Sequence, residues 1–551
     1  MSGTGPIFVL DPGKEQTRGH EALFMNISAA KAVSSLVEST LGPKGMDKML
    51  INQIGVVSTT NDGATILKDI GIEHPSAKAV VGVATSLEST AGDGTTSSVV
   101  FTASLLDKAE KLVKKGFYPA VIIKGYEMAH DKALEVLDEY QFKLSPYDSE
   151  TYNILKNVAI TSITGKAPED HKEHLADVCT EAVLAIEKDG LCNIRTDVVM
   201  LADVQKPVSE TEVVDGLAFV TKSLTKFVPK QIKNAKIALL DSTLTEKTKV
   251  DSKMYVSSLE ERDTIIRNQE SKVKELAQSI ISTGANVLFS TKGISAELTD
   301  YFNKHGVFVA LPVEDKDIEN ISYATGGRIV RSPRELTADD LGYADLLETD
   351  YKNEGGKTYL RGCKGSKIVT VIACGETLQM ADNVGQAIDD ALGAIRSAFE
   401  DGSVVPGGGA SEMGISIELF KYAKTVPGYE QKVIEAYAEA LEYLPKRLAI
   451  NGGLDPIDTL IRLRSMQNEN KNLGIDVYTG EVADMFELGV VDPTRVKQNM
   501  IKAATEAAVM ILRIDDVLRS RVRSEIPSNI DPSHMPSSYH GMQAPQINDR
   551  R

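Results

Sequence analysis

The stretch Gly92–Ser97 places a carboxylate, three hydroxyls and bare backbone directly before a predicted helix. Asp93 stands between two glycines, and Thr95, Thr96 and Ser97 follow. Glycines let the backbone approach a ligand closely, and a helix N-terminus offers unpaired N–H groups to an anion. A carboxylate fits beside a phosphate when a hard cation such as Mg2+ lies between them. The pattern favours a nucleotide-phosphate and metal site, although a Gly-Asp-Gly turn with Thr95 capping the helix would look alike.

Related patterns occur elsewhere in the chain. Asn61–Thr65 contains a second Asp-Gly turn that opens a predicted helix, and Gly407–Gly409 precede another. Two Asp-Gly turns would direct two carboxylates at one site, but capped turns would give the same pattern. Lys166 ends a small polar loop, where a lone lysine is usually solvated. Asp390 lies in a predicted helix at 381–400. These residues join the candidate site only if the fold brings them together.

The composition limits the class of protein. A chain of 551 residues is too long for one core, so about three domains are expected. The net charge of −17 argues against a nucleic-acid or anionic-membrane partner. No apolar run is long enough to cross a bilayer, and residues 1–13 lack the features of a secretory signal. The four cysteines are far apart, as expected for reduced thiols in a cytoplasmic protein.

The chain is predicted to be helical at both ends, with an α/β insert between them. Helical periodicity covers 21–140 and 410–518, whereas 215–369 alternates strands and helices. This arrangement predicts one discontinuous domain built from both ends. Residues 1–20 are expected to be loosely attached, short helices are expected at 150–190, and 524–551 are expected to be a disordered tail. The expected strands of the insert and its flank are Ile237–Leu240, Val287–Ser290, Val307–Leu311, Arg328–Val330 and Ile368–Cys374.

Residues 242–269 are dense in charge and also carry apolar side chains. They predict either a solvated helical excursion or a projecting element that contacts a partner. The chain lacks the Gly-x-x-x-x-Gly-Lys-Ser/Thr pattern, which excludes a P-loop ATPase. His171 and His174 lie in a charged stretch that favours a surface turn over a metal site.

Six motifs, taken in order, resemble those of group II chaperonin subunits: the archaeal thermosome and its sister, the eukaryotic cytosolic chaperonin. The resemblance covers residues from about 20 to 522. Each motif alone is modest, but all six in this order form a specific signal. They are LGPKGMDKML at 41–50, NDGATIL at 61–67, GDGTT at 92–96, TSITGK at 161–166, VPGGGA at 405–410 and LRIDDV at 512–517.

The resemblance implies a multidomain α+β subunit in three tiers. A mainly helical equatorial ATPase domain would comprise 1–147 and 403–523, and a small intermediate domain 148–216 and 370–402. An α/β apical domain, 217–369, would bind substrate and carry a helical protrusion at about 242–269 as a built-in lid. The implied function is an ATP-driven chamber that encapsulates and folds proteins. Its implied partners are unfolded or partly folded clients, and identical or paralogous subunits in a double ring of about eight plus eight.

The resemblance also assigns roles to single residues, with ATP or ADP and Mg2+ as ligands and K+ as an additional candidate. Asp93 matches the Mg2+ ligand, and Lys166 matches the lysine that senses the terminal phosphate. Asp390 matches the carboxylate that orients the attacking water, with Asp62 as a second carboxylate near it. The remaining nucleotide-binding positions are Leu41, Gly42 and Pro43 in the phosphate loop, Gly94, Thr95, Thr96 and Ser97 around the phosphates, and Gly408, Gly409, Asp492 and Lys497 at the sugar and base.

The chain departs from the family pattern near Asp390. The family usually has Glu-Arg-x-x-x-Asp, but here Gly385 and Gln386 replace the Glu-Arg pair, and Asp492 stands where Glu is more common. These changes favour a divergent paralogue that assembles with sister subunits. Two alternatives stay open: a small-molecule kinase or other soluble ATP-using enzyme, and a structural ring subunit with slow turnover. Native mass separates the enzyme from the chamber.

Overall fold

The computed structural model describes residues 15–51, 55, 57–90, 92–145, 149–221, 229–244, 271, 274–310, 313–352 and 355–519. The predicted protrusion, 242–269, lies outside these residues except for 242–244, and the predicted tail, 524–551, lies outside them entirely. The chain divides into two compact units, Met1–Met25 with Ile514–Arg551, and Asn26–Arg513.

The first unit contains a two-stranded antiparallel sheet. Glu15–Arg18 pairs with Asp516–Arg519. The N–H of Gly19 donates a 2.7 Å hydrogen bond to the carbonyl of Asp515. The prediction that residues 1–20 are loosely attached is therefore wrong for 15–18, because their backbone groups are paired in a ladder.

In the second unit, helices from both ends of the chain share one core. Tyr437 makes edge-on contacts with Phe101 and Tyr126, with ring centroids 5.6 and 5.5 Å apart. The buried hydroxyls are satisfied, since Tyr126 donates to the carbonyl of Leu105 and Tyr437 bonds to the hydroxyl of Thr505. The helices are His20–Val37 (of which 26–37 belong to this unit), Gly63–Asp69, Pro75–Thr90, Thr95–Lys114, Pro119–Asp138, Ala410–Ala423, Tyr429–Leu441, Tyr443–Asn451, Pro456–Met466 and Thr494–Leu512.

Short strands interrupt these helices. Strand Ser403–Pro406 is antiparallel to Phe142–Lys143 and to Val491–Pro493. It ends directly before Gly407, so this small sheet fixes where the glycine turn begins. The sequence predicted only a glycine-rich loop here, because four residues are too few to show a period. The other short pairs are Lys48–Ile51 with Val57–Thr60 and Leu473–Ile475 with Val482–Asp484.

A three-stranded sheet is built from segments on both sides of the insert. Val369–Gly375 is its central strand, parallel to Val198–Val204 and antiparallel to Glu212–Asp215. All seven residues of the central strand are buried, which explains its continuous apolar sequence. The helices of this part are Ser149–Ile163, Lys172–Ile186, Ile194–Asp197 and Leu378–Asp401, and the first two are longer than the short helices expected at 150–190.

The insert itself forms a seven-stranded mixed sheet. Its path runs Phe308–Ala310, Val287–Ser290, Gln231–Leu240, Gly342–Lys352, Gly355–Cys363 and Leu217–Thr221, with Ile329–Val330 also pairing with the third of these strands. The strands expected from strand–helix alternation pair in parallel. The hairpin formed by Gly342–Lys352 and Gly355–Cys363 was not predicted, because its residues are largely polar. The helices are 274–282, Ala296–Lys304 and Asp315–Thr325.

Candidate functional site

A cavity of about 410 Å3 in the second unit gathers residues that are far apart in sequence. It lies where the helical core meets the loop after helix Ser149–Ile163. Of the predicted site residues, all except Asp390 line its wall: Leu41, Gly42, Pro43, Asp62, Asp93, Gly94, Thr95, Thr96, Ser97, Lys166, Gly408, Gly409, Asp492 and Lys497.

The turn before helix Thr95–Lys114 directs backbone toward this cavity. Gly94 is the N-cap, with φ 83°, and no side chain caps the helix. The alternative in which Thr95 caps the helix is therefore wrong, because Thr95 is already inside its first turn. The N–H of Gly94 instead donates to Oδ1 of Asp93 at 2.7 Å. An uncapped helix N-terminus at a cavity wall is suited to an anionic ligand.

The two Asp-Gly turns meet at the cavity. A Cβ on Gly63 would lie 2.4 Å from Oγ1 of Thr96, so the turns are in direct contact. Asp62 is the N-cap of helix Gly63–Asp69, and its Oδ2 accepts a 2.7 Å hydrogen bond from the N–H of Thr65. Asp62 is thus both a helix cap and a residue of the cavity wall. The capped-turn interpretation of this motif and the binding-site interpretation are therefore compatible.

Close glycine packing brings Asp390 toward Asp93. A Cβ on Gly92 would lie 2.5 Å from Cα of Gly393, so the turn before Asp93 touches helix Leu378–Asp401. Asp390 lies one turn earlier on that helix and does not line the 410 Å3 cavity. This contact could not be predicted from sequence, because neither glycine belongs to a recognisable pairing pattern.

Lys166 connects the two carboxylates. Its Nζ lies 3.0 Å from Oδ1 of Asp93 and 2.7 Å from Oδ2 of Asp390. Ser162, the next-to-last residue of its helix, donates a 2.9 Å hydrogen bond to the other oxygen of Asp93. Burial alone would lower the pKa of Lys166, but the charges of Asp390 and Asp93 raise it well above its usual value.

The two aspartates have opposite pKa shifts. Burial would raise the pKa of Asp93, but the charge of Lys166 and the hydrogen bonds from Gly94, Lys166 and Ser162 together lower it. For Asp390, burial and the negative charges of Asp93 and Asp62 outweigh the attraction of Lys166 and raise the pKa to about 8. Asp93 is therefore ionised at neutral pH. Asp390, with a pKa of about 8, is mostly protonated at the same pH.

Elsewhere on the cavity wall, Lys497 lies between the buried carboxylate of Glu412 and the half-buried carboxylate of Asp492. Its Nζ is 2.6 Å from Oε1 of Glu412 and 2.9 Å from Oδ2 of Asp492. Burial would raise the pKa of Glu412, but Lys497 lowers it, whereas burial raises the pKa of Asp492 in spite of Lys497. Glu412 was not predicted as a site residue. Its position in the first turn after Gly409 was the available signal.

Comparison with known proteins identifies the family. The sequence profile of the TCP-1/cpn60 chaperonin family matches residues 33–522. The chain belongs to this family. It is 43% identical over 518 residues to the thermosome subunit of Pyrococcus horikoshii, which covers 93% of this chain and 94% of that protein. It is also similar to two thermosome subunits of Archaeoglobus fulgidus: beta, 41% over 521 residues (94% and 95%), and alpha, 40% over 526 residues (95% and 96%).

These similarities confirm the resemblance seen in the motifs. The chain is a group II chaperonin subunit, and its function is that of a chaperone. In the described part of the chain, no helix combines the length and the apolar character needed to span a bilayer.

Tyr478 lines the cavity and is 55% exposed, so it marks the mouth of the cavity, and it makes a contact that sequence reasoning missed. Oη of Tyr478 donates a 2.7 Å hydrogen bond to Oε1 of Glu169, which follows the loop of Lys166. The ammonium groups of Lys44 and Lys172 lie 5.7 and 5.8 Å from the centre of the Tyr478 ring. Tyr478 and Glu169 are more than 300 residues apart in sequence, so no local pattern could relate them.

Proposed function

We propose that this chaperonin subunit hydrolyses ATP in the 410 Å3 cavity and uses the hydrolysis to drive client folding. The observation that carries the proposal is the Lys166 bridge, which joins Asp93 at the cavity wall to Asp390 beside it. A cation between two carboxylates is positioned to exchange one of them for the terminal phosphate.

The phosphate end of the cavity fits a Mg2+-bound triphosphate. Leu41 and Gly42 offer backbone N–H groups, and Thr95–Ser97 offer N–H groups and hydroxyls. The N-terminus of helix Thr95–Lys114 favours negative charge. In the described part of the chain, no three His, Cys, Asp or Glu side chains form a metal cluster. Asp93 would hold Mg2+ together with phosphate oxygens and water, as Mg2+ prefers. When bound, Mg2+ would neutralise charge on the phosphates. K+ is an additional candidate near the same oxygens.

The other end of the cavity fits the nucleoside. Gly408 and Gly409 present backbone without side chains, and Asp492 supplies a carboxylate that can accept hydrogen bonds from sugar hydroxyls. The Lys497 ammonium, buried between Glu412 and Asp492, fixes the orientation of that carboxylate.

Hydrolysis would depend on positioning and charge. Asp390 and Asp62 would orient the attacking water, and Lys166 would stabilise charge on the terminal phosphate. Asp390 in its ionised form would accept a proton from the water, while Lys166 contacts the phosphate. The buried, hydrogen-bonded setting of these groups keeps them aligned.

At the level of the subunit, we propose the three tiers implied by the family: equatorial, 1–147 with 403–523; intermediate, 148–216 with 370–402; and apical, 217–369. Support comes from the sheet centred on Val369–Gly375, which draws strands from both sides of the insert and would link the tiers. The similarity to thermosome alpha and beta subunits supports assembly with identical or paralogous subunits, for which we propose a double ring of about eight plus eight.

Phosphate release by the purified full-length protein tests this proposal. Asp390→Asn should bind ATP but hydrolyse it at least about 10²-fold more slowly, the scale expected for a lost acid–base group. Asp382→Asn, an exposed position on the same helix, should keep wild-type turnover. Equal turnover in Asp390→Asn and wild type would contradict the proposal. A native mass of a monomer or dimer would favour a soluble enzyme over a chamber.

A further inference from the structure

Gln386 occupies the position where the chaperonin pattern usually has arginine, and the structure gives it a defined contact. It lies on helix Leu378–Asp401, one turn before Asp390. Oγ1 of Thr60 donates a 3.1 Å hydrogen bond to Oε1 of Gln386. The two residues are 326 positions apart, so this bond joins two distant segments of the chain.

The same hydroxyl also contacts the loop that carries Asp62. Oγ1 of Thr60 accepts a 3.1 Å hydrogen bond from the backbone N–H of Asp62. Both hydrogen-bonding functions of the hydroxyl are thus used, and Thr60 is only 5% exposed. The result is a continuous chain of contacts from the helix of Asp390, through Gln386 and Thr60, to the backbone of Asp62.

A small cavity of about 20 Å3 lies between these groups. Its volume suits a single water molecule, and its polar lining could supply the hydrogen bonds that such a water needs. Lys166, Asn61 and Asp62 are shared with the larger cavity, so the two cavities adjoin. The lining consists of Asp47, Thr60, Asn61, Asp62, Lys166, Asn383, Gln386, Ala387 and Asp390.

We propose that Thr60 and Gln386 are a positioning pair that holds Asp62 and Asp390 at a fixed separation around the attacking water. This inference rests on the proposed ATP hydrolysis and adds to it two residues that act through the carboxylates. A neutral amide can accept the hydrogen bond of Thr60 without adding charge to a cavity that already contains the side chains of Asp62, Asp390 and Lys166.

Steady-state kinetics of single and double variants test the pair. Thr60→Val and Gln386→Ala should each lower kcat about 3- to 10-fold, the range for one net hydrogen bond, and change KM by less than about 2-fold. Because either change breaks the same link, the double variant should be no slower than the slower single variant. Thr60→Ser keeps the hydroxyl and should recover wild-type turnover.

Matched controls lie away from the site. Thr85→Val removes a hydroxyl that bonds within its own helix, and Gln431→Ala removes an amide that bonds to Glu435. Both should keep wild-type kinetics. Circular dichroism and binding of fluorescent ADP establish that each variant is folded, and Gln386→Ala carries the test if Thr60→Val does not fold.

The outcomes separate this inference from the function on which it rests. If Asp390→Asn is as active as wild type, the proposed hydrolysis mechanism fails. If Asp390→Asn is slow but the pair variants match wild type, or their effects on kcat multiply, the positioning role is overturned. A raised KM with unchanged kcat would also overturn it, because it would place the pair in nucleotide binding.

Discussion

Lys166 sets the charge balance at the phosphate end of the cavity. Its ammonium faces Asp93 and Asp390 directly, with Asp62 also contributing to its electrostatic environment. One cation cannot neutralise three carboxylates. Asp390, whose pKa is raised by burial and by the charges of Asp93 and Asp62, therefore keeps its proton. A phosphate that competes for Lys166 would therefore change the ionisation of Asp390. Nucleotide binding and the ionisation of Asp390 are therefore linked through the side chain of Lys166.

This linkage predicts an unusual pH dependence. The parameter kcat/KM reports ionisations of the free enzyme, and the ionised form of Asp390 is the one that can accept a proton. Because burial raises its pKa to about 8, kcat/KM for ATP should rise with pH and level off only above that value. An aspartate with its ordinary pKa would already give a plateau at neutral pH. Phosphate release measured from about pH 6 to about pH 9 at constant ionic strength checks this.

Glu412 should act at the nucleoside end. Glu412→Gln keeps the shape of the side chain but removes the charge opposite Lys497, which would then pair with Asp492 alone. Asp492 would be less available to a sugar hydroxyl, so KM for ATP should rise about 5-fold with little change in kcat. Glu418→Gln, in a surface pair with Lys421 on the same helix, is the control. A lower kcat with unchanged KM in Glu412→Gln would contradict this role.

Among the helices and strands, sequence patterns were reliable where a short, continuous apolar run marks a buried strand. The strand Val287–Ser290 was predicted with the bounds it has, and the buried strand Val369–Gly375 was predicted one residue early, as Ile368–Cys374. The hairpin at 342–363 was missed because its polar residues show no apolar alternation, and Ser403–Pro406 is too short to show any. Contacts between elements escaped prediction for a different reason. The meeting of Gly92 with Gly393 depends on how two segments pack, which no local pattern records.

The contact between Tyr478 and Glu169 predicts control of nucleotide release. It joins the loop after strand Leu473–Ile475 to the segment that follows Lys166, across the mouth of the cavity. Tyr478→Phe removes only the hydroxyl, so the mouth should open more easily and ADP should dissociate about 2- to 5-fold faster. Stopped-flow fluorescence of a labelled ADP measures this rate. Tyr118→Phe, at an exposed tyrosine without a capping bond, should release ADP as wild type does.

At the scale of the whole molecule, the net charge of −17 and the exposed apolar groups have different consequences. Like charge keeps subunits apart and soluble, whereas a contiguous apolar face favours association. The hairpin of Lys48–Ile51 with Val57–Thr60 has such a face. Met49 is 69% and Ile51 70% exposed, on the same side of one strand, and Val57 is 48% exposed.

In a chaperonin that assembles into rings, we expect this hairpin face to be covered by a neighbouring subunit. Replacing both Met49 and Ile51 by Glu would place two charges on it, and burying unpaired charge is costly, so the native mass should fall toward that of a single subunit. Replacing both by Leu keeps the face apolar and should preserve assembly. Native mass spectrometry compares the two variants, and an intact ring in the Glu variant would exclude the hairpin from the interface. Because Thr60 ends the same hairpin and bonds to Gln386, loss of the neighbour should also lower kcat in the Glu variant.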